Sequence, residues 1–555
     1  MQLLVVGNGM VGQRFVELLA ARDPDRRWRI TVLGEEPHPA YDRTALSSLI
    51  DSPSVDIALA GPGGDDGTHR VPRIGDPVVR IDRLRRRVHT AAGFTARYDA
   101  LVLATGATPL VPPVPGAGLP HCFTYHTYDD LCRLRTRLAD QPGRRAGVVV
   151  GGGLRGLEVA RVLRRLGVDT TIVESGPWLM PRQVDEGGGQ ALRRRVEARG
   201  YTVLTGTAVR AVEPGAVRLA NGRRLDADVV VFAAGTRPRD ELARDCGLPV
   251  GGRGGVVVNG ACRTADPAIW AIGDCTRIDW ARTGGIAPGY AMAEVVADRL
   301  TGGDTTFTNP ATAATLRMQD VDAVSFGDAH ATTPGALEIV YADPVSGVYK
   351  KLVVTDDAQR LLGGILVGDA SAYKTLRPLV GASLPAPPEQ LLTPTGRAPV
   401  AVPGAAAVCG CRDVSRDALC AAIDTRGLTD LAGLRARTGA GSACGSCLPL
   451  VRSMLETRLA AAGLPVPGAL CEHFRYGRAE LADLVRAHGI RTYSALLARY
   501  GTRSGGRRGR DCALCVPVVA GLLWRTWSTQ RRVDPATARR VPAVRGRDPA
   551  GVGAC

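Results

Sequence analysis

Four cysteines stand at spacings that could do chemistry: Cys409 and Cys411 in Val408-Cys409-Gly410-Cys411, then Cys444 and Cys447 in Ala443-Cys444-Gly445-Ser446-Cys447. Four thiolates in a Cys-x-Cys, Cys-x-x-Cys arrangement suffice for one iron-sulfur cluster or one structural zinc, and the residues alone leave both open. A looser copy follows, with Cys471 and His473 in Leu470-Cys471-Glu472-His473-Phe474 and Cys512 and Cys515 in Cys512-Ala513-Leu514-Cys515; His473 stands where Cys411 stood. That second set could hold a cluster, a zinc or nothing, because a His beside a Phe is more often a satisfied core or surface residue.

Two glycine runs far upstream point to a different chemistry. Gly7-Asn8-Gly9-Met10-Val11-Gly12 lies between the apolar run Leu3 to Val6 and the amphipathic run Phe15 to Leu19. The pattern predicts strand, glycine turn and helix. Gly7 permits the tight turn, Gly9 lets the backbone approach a pyrophosphate at the helix N-terminus, and Gly12 lets the helix pack on the strand. A second strand, Trp28 to Leu33, leads to Glu35, placed to accept hydrogen bonds from a ribose. The unit recurs: Ala146 to Val150, then Gly151-Gly152-Gly153-Leu154-Arg155-Gly156, a helix over Leu157 to Leu166, and Thr170 to Val173 ending at Glu174. Two such folds imply two dinucleotides. Glu174 would bind a free 2′-hydroxyl and repel a 2′-phosphate, favouring NADH over NADPH, although Arg182 nearby could shift that balance.

These elements need room, and 555 residues at 45% hydrophobic predict several cored domains. Net charge is +16, with Lys350, Lys351 and Lys374 the only lysines. The arginines are scattered and no basic-aromatic module stands out, so a solvated Arg-rich surface is expected rather than nucleic-acid binding, with docking to an acidic redox partner the lesser alternative. No apolar run approaches a membrane span, and Met1 leads straight into a strand without a positive leader. The expectation is a cytoplasmic protein with no membrane partner. Of the 14 cysteines, Cys122, Cys132, Cys246, Cys262 and Cys275 lack ligand spacing and read as packing residues, and Cys420 as a helix core residue.

Three further signatures complete the pattern: Tyr98-Asp99-Ala100-Leu101-Val102-Leu103-Ala104-Thr105-Gly106, Val229 to Gly235 with Thr236-Arg237-Pro238, and Ile269-Trp270-Ala271-Ile272-Gly273-Asp274. With the glycine units, this set resembles the two-dinucleotide-binding flavoproteins, the pyridine nucleotide-disulfide oxidoreductase-like fold. Their ferredoxin and rubredoxin reductases carry FAD on the first fold and NAD(P)H on the second. The resemblance implies an FAD site at Gly7, Gly9, Gly12, Glu35, Thr105 and Gly106. It adds Arg43 and Ser47 lining the FAD and Asp274 on the ribityl chain. It implies an NAD site at Gly151, Gly153, Gly156, Glu174 and Gly235, with Glu158 near the nicotinamide. The competing reading of Asp274 is a helix N-cap, since Ala291 to Leu300 is helical a little later. Disulfide reductases of this family need a cysteine beside the flavin near the start of the first fold. The first cysteine here is Cys122, so electrons must leave by another route, and no side chain is expected to act as acid, base or nucleophile.

The cysteine spacing resembles the bacterioferritin-associated ferredoxin (BFD) domain, a small helical fold that holds a 2Fe-2S cluster. This context favours iron-sulfur over zinc, which carries no redox chemistry. The expected architecture is α/β: an FAD-binding domain over 1–118 and 236–304, an NAD(P)H-binding domain over 119–235, and a small α+β third domain over 305–384. A Pro/Ala-rich linker over 385–407 leads to a BFD-like 2Fe-2S domain over 408–460, a second BFD-like repeat over 466–527 and a disordered Arg-rich tail over 528–555. The third domain of the family often mediates dimerisation, so a homodimer is within expectation. The whole order, with Asn8-Gly9-Met10-Val11-Gly12, Ala40-Tyr41-Asp42-Arg43, Ala287-Pro288-Gly289-Tyr290 and Gly327-Asp328-Ala329-His330, resembles the amino-terminal part of NADH-dependent assimilatory nitrite reductase large subunits. The siroheme part of that family is not in this sequence, so nitrite reduction by this polypeptide is not expected. A related arrangement is the electron-transfer subunit of assimilatory nitrate reductase. The implied activity is electron transfer from NADH (or NADPH) through FAD and one 2Fe-2S cluster to a separate nitrate or nitrite reductase subunit. The alternatives are a stand-alone NADH:ferredoxin or rubredoxin reductase serving another acceptor, and an iron-handling interaction protein of bacterioferritin-ferredoxin type.

Overall fold

The computed structural model describes residues 1–462 except 53–54, 60–69, 140–144, 279–280, 283–284, 310–312, 317, 319–320, 393–403, 411 and 443–446, and beyond these 473–474, 476–477, 481–482, 484–485, 490, 492–501 and 519. The chain forms two units, Met1–Ala398 and Pro399–Gly553.

In the first unit the early apolar run becomes the middle of a sheet because both its faces are covered: Leu3, Leu4 and Val5 are fully buried. Five parallel strands lie in the order Ile269–Ala271, Ala100–Leu103, Gln2–Val6, Arg29–Leu33, Arg70–Arg73. The helices Met10–Arg22 and Ile286–Leu300 pack together beside it. The latter starts at Ile286 rather than the expected Ala291, because Pro288 falls in the first turn, where a missing N–H loses no helical partner. The first strand order thus closes only when the chain returns at residue 269. A second parallel sheet intervenes, in the order Thr202–Leu204, Val168–Val173, Arg145–Val150, Val229–Phe232, Cys122–Thr124, with the helix Leu154–Arg165 after its glycine turn.

A third sheet is antiparallel, in the order Ala313–Thr315, Ala323–Gly327, Leu361–Val367, Val348–Val354, Leu337–Asp343. Two of the three lysines are buried in it. Lys351 is 1% exposed and reaches Asp185 Oδ2 and Glu338 Oε1, each at 2.8 Å, and Lys350 reaches Asp369 at 2.6 Å. Asp185 also caps the helix Glu186–Glu197 of the second fold and accepts the Tyr349 hydroxyl at 2.7 Å, so this cluster fastens that fold to the third sheet.

The stretch 385–407, expected as a linker without packed elements, requires correction. A short helix, Pro388–Leu392, forms there and buries Leu391 and Leu392 against the strands Leu337–Asp343 and Val348–Val354. Proline at a first helical position is compatible with helix, and two adjacent leucines supply the apolar face that a composition reading overlooked. Residues 393–403 lie outside the described part.

The second unit is small and helical. Strands Ala407–Cys409 and Val414–Ser415 pair, and the helices Arg416–Arg426, Leu431–Thr438 and Leu448–Ala461 enclose a core of Val408, Leu419, Leu434, Val451, Leu455 and Leu459. Ser415 and Asp430 cap two of these helices, and Gly427 and Gly439 end them in the left-handed conformation. A separate cluster of Phe474, Leu481, Val485, Ile490, Leu496 and Val519 forms beside the helix Tyr493–Tyr500. Among the described residues, no helix is long and apolar enough to cross a membrane.

Candidate functional site

The two glycine turns have the same local design. Gly7 and Gly151 both adopt φ +115°, and a side chain at either would collide with a backbone carbonyl, Ala104 or Ala233. Gly12 and Gly156 pack against the carbonyls of Gly7 and Gly151. The middle glycines differ from these. Gly9 and Gly153 are N-caps of Met10–Arg22 and Leu154–Arg165, no side chain caps either helix, and a Cβ at either would meet nothing within 4 Å. Each turn therefore presents uncapped helix N–H groups to open space, which fits a dinucleotide pyrophosphate.

The acids are less alike than their spacing suggests. Gly7 N donates to Leu33 O and Gly151 N to Val173 O, both at 2.8 Å, and the next residues, Gly34 and Glu174, donate in turn to Arg73 O and Leu204 O. Gly34, not Glu35, is thus the structural counterpart of Glu174. Glu174 is 9% exposed, and its carboxylate accepts the N–H groups of Gly152 at 2.6 Å and Gly176 at 2.7 Å. Glu35 is exposed and pairs with Arg239. Arg239 in turn ties together the Thr105-Gly106 turn: its carbonyl accepts the Thr105 hydroxyl at 2.7 Å and its N–H donates to Gly106 O at 3.0 Å. Gly106 (φ +71°) and Gly235 (φ +119°) hold left-handed conformations at the ends of their strands.

Arg43 is ion-paired with Glu36, which also accepts the Tyr41 hydroxyl at 2.6 Å. Burial pushes the Tyr41 phenol upward, with Arg43 acting against it. Ser47 is buried, and its carbonyl accepts from Arg161, which also pairs with Asp51 at 2.7 Å. Asp274 Oδ1 accepts the N–H of Gly285 at 2.8 Å and so anchors the start of Ile286–Leu300. Asp274 is not itself the N-cap of that helix, which is Gly285; it holds the N–H of the capping residue. Glu158 lies on Leu154–Arg165 close to Tyr125, whose phenol is raised first by burial and next by Glu158.

Sequence reasoning missed Glu36, Arg155, Arg239, Tyr125 and His126. Only Arg155 had a signal, its place inside the second glycine turn. Tyr125 Oη and His126 Nδ1 are buried without a hydrogen-bond partner. His126 is pushed down to about 4 by burial, with Arg43 and Arg155 adding to the effect.

Among the cysteines, Cys409 (2% exposed) and Cys447 (9%) are buried within the core of the second unit. Two cysteines buried in one small core suit a thiolate-ligated cluster. Cys411 and Cys444 lie outside the described residues, as do Cys471, Cys512, Cys515 and the tail over 528–555. His473 is described and is 4% exposed. Cys122, Cys246, Cys262, Cys275 and Cys420 are free, and Cys262 and Cys275 are wholly buried. Cys132, grouped with the packing cysteines from sequence, is instead disulfide-bonded.

Residues 1–294 match the pyridine nucleotide-disulphide oxidoreductase family, 311–383 the rubredoxin NAD+ reductase C-terminal domain, and 407–457 the BFD-like [2Fe-2S] binding domain. Over 543 residues the chain is 40% identical to the nitrite reductase (NADH) large subunit of Escherichia coli, covering 95% of this chain and 63% of that one. It is 30% identical over 466 residues to the assimilatory nitrate reductase electron transfer subunit of Bacillus subtilis, covering 82% of this chain and 59% of that one. Among solved structures, the ferredoxin reductase for the CYP199A2 system of Rhodopseudomonas palustris superposes with a TM-score of 0.61 at 26% identity, covering 71% of this chain and 98% of that one.

Proposed function

The chain belongs to the pyridine nucleotide-disulphide oxidoreductase family, and from that premise we propose that it carries electrons from NADH to a separate redox protein. The observation that carries this reading is the pair of open, uncapped glycine turns at Gly9 and Gly153, joined in one chain to a BFD-like [2Fe-2S] module over 407–457.

In this reading Gly7, Gly9, Gly12, Glu35, Arg43, Ser47, Thr105, Gly106 and Asp274 hold FAD. Gly151, Gly153, Gly156, Glu158, Glu174 and Gly235 hold NADH, and Cys409, Cys411, Cys444 and Cys447 ligate one 2Fe-2S cluster. When bound, the flavin accepts a hydride and releases electrons singly to an iron-sulfur centre. The protein's own residues bind, orient and shield. The helix N–H groups beyond Gly9 and Gly153 face the pyrophosphates. Glu174, already fixed by two backbone N–H groups, offers its remaining acceptor capacity to a ribose hydroxyl and disfavours a 2′-phosphate. Asp274 and Glu35 must loosen from Gly285 and Arg239, or share them, to reach a ligand.

The acceptor we propose is a nitrate or nitrite reductase catalytic component, by likeness to the relatives of Escherichia coli and Bacillus subtilis. A second reading, an NADH-dependent reductase of a ferredoxin, draws on the superposition with the Rhodopseudomonas palustris reductase. For the set Cys471, His473, Cys512 and Cys515 a second cluster, a zinc and no metal all stay open, and the metal count per chain decides among them; the third sheet is the surface we propose for a homodimer. The experiment is anaerobic purification with flavin, iron, sulfide and zinc counted per chain, then NADH titration followed by electron paramagnetic resonance. Flavin bleaching with a reducible 2Fe-2S signal supports the relay. Zinc in place of iron, with no reducible signal, overturns it.

A further inference from the structure

The segment Thr124–Tyr128 carries two consecutive side chains whose polar atoms find no partner. Tyr125 is 3% exposed and its Oη makes no hydrogen bond, and His126 Nδ1, equally shielded, makes none. Natural interiors leave few such atoms, and a ligand site is one of the few reasons for leaving one.

The segment's position is fixed from several sides. Asp130, 5% exposed, accepts the N–H groups of His126 at 2.9 Å and Thr127 at 3.2 Å and the Thr124 hydroxyl at 3.1 Å. Tyr128 N donates to Tyr41 Oη at 3.0 Å. Around the His126 ring stand Arg43, Arg155 and the backbone of Ala107. Arg43 and Ala107, the latter next to Gly106, belong to segments proposed for FAD, and Arg155 lies inside the glycine turn proposed for NADH. Arg43 is already committed to Glu36.

A neutral imidazole has one N–H and one bare nitrogen. In the tautomer that carries its proton on Nε2, the bare nitrogen is Nδ1, the atom shielded here without a partner. Nδ1 is left as a shielded acceptor facing no donor.

We propose that His126 contacts a bound redox cofactor, its Nδ1 accepting a hydrogen bond from an amide-type N–H on the ring system: the imide of the flavin or the carboxamide of the nicotinamide. This inference rests on the assignment of the two glycine turns to FAD and NADH.

The test uses the full chain with His126→Leu, which removes the acceptor, and His126→Asn, which keeps an oxygen acceptor near the position of Nδ1. One arm measures FAD dissociation by fluorescence and titrates the flavin imide by absorbance; the other measures NADH affinity. If the flavin imide is the donor, His126→Leu weakens FAD binding by about 2- to 10-fold and lowers the imide pKa, since an acceptor stabilises its protonated form, and His126→Asn recovers most of both. If the carboxamide is the donor, the flavin arm stays put and NADH affinity falls by about the same factor. His126→Gln, with its acceptor displaced by one carbon, replaces the Leu variant should that not fold. Wild-type protein that binds both cofactors, with folded variants matching it in both arms, overturns the inference. Wild-type protein that binds no FAD overturns the site assignment beneath it instead.

Discussion

Glu174 Oε2 accepts the N–H of Gly152 at 2.6 Å, so the acid at the end of one strand is fixed to the glycine turn at the start of the next helix. The acid proposed for the ribose and the glycine turn proposed for the pyrophosphate are thereby tied together. Glu174→Ala frees Gly152 and Gly176 and removes the charge that repels a 2′-phosphate. NADH affinity should fall by about 10-fold while the ratio of NADH to NADPH efficiency narrows, as kcat/KM with each nucleotide would report. An unchanged ratio would remove Glu174 from cofactor choice.

The glycines of the first turn should separate folding from binding. Gly9 faces open space, so Gly9→Val should fold normally, yet bind FAD at least about 10-fold more weakly because the side chain occupies the phosphate approach. Gly7 holds φ +115° against the Ala104 carbonyl, so Gly7→Ala should cost about 2 kcal/mol or more of stability. Urea melts beside flavin fluorescence would tell the two apart, and equal behaviour of the two variants would contradict the turn's division of labour.

Cys409→Ser and Cys447→Ser should abolish the iron-sulfur signal and leave NADH-driven bleaching of the flavin intact, because the proposed ligands sit in the second unit and the glycine turns in the first. Iron content, visible spectra and stopped-flow reduction would show it. A variant that keeps its cluster would exclude that cysteine as a ligand.

In the flavin-free protein His126 gives stability a pH dependence. Its pKa is about 4 when folded against an ordinary 6.5, so the unfolded chain binds the proton first as pH falls. The contribution is complete above 6.5 and is lost as pH drops toward 4, amounting to about 3 kcal/mol. Urea midpoints at pH 5 and pH 7.5 should therefore differ more for the wild type than for His126→Asn. Equal differences would mean that the imidazole stays exposed to protonation in the fold.

Lys351→Met should loosen the second dinucleotide fold from the third sheet. Asp185 and Glu338 each lose a partner at 2.8 Å, and since both retain some solvent the loss should be about 2 kcal/mol rather than that of a fully buried pair. A double-mutant cycle with Asp185→Asn would measure the coupling, and additivity would show that the pair does not act together.

The sequence by itself determined the central strands of both dinucleotide folds with the glycine turn and helix that follow the first of each, the antiparallel third sheet and the helical cysteine module. Those follow from local rules: apolar runs, periodicity and the one residue type that tolerates φ +115° or a carbonyl at contact distance, as at Gly7 and Gly151. Even where composition misled, at Pro388–Leu392, two leucines four and five residues from Pro387 carried the missed helical signal. Only the tertiary structure decided which partners the site's charged and polar side chains take. Glu174 and Glu35 sit at similar distances from their glycines in the chain, yet one grips Gly152 and the other is drawn off to Arg239, some two hundred residues away. Asp274 meets Gly285, and Tyr125 and His126 come to rest beside Glu158, Arg155 and Arg43. Hydrogen bonds and desolvation act over a few ångströms of space, and no spacing along the chain encodes which distant segments the packed sheets bring within that reach.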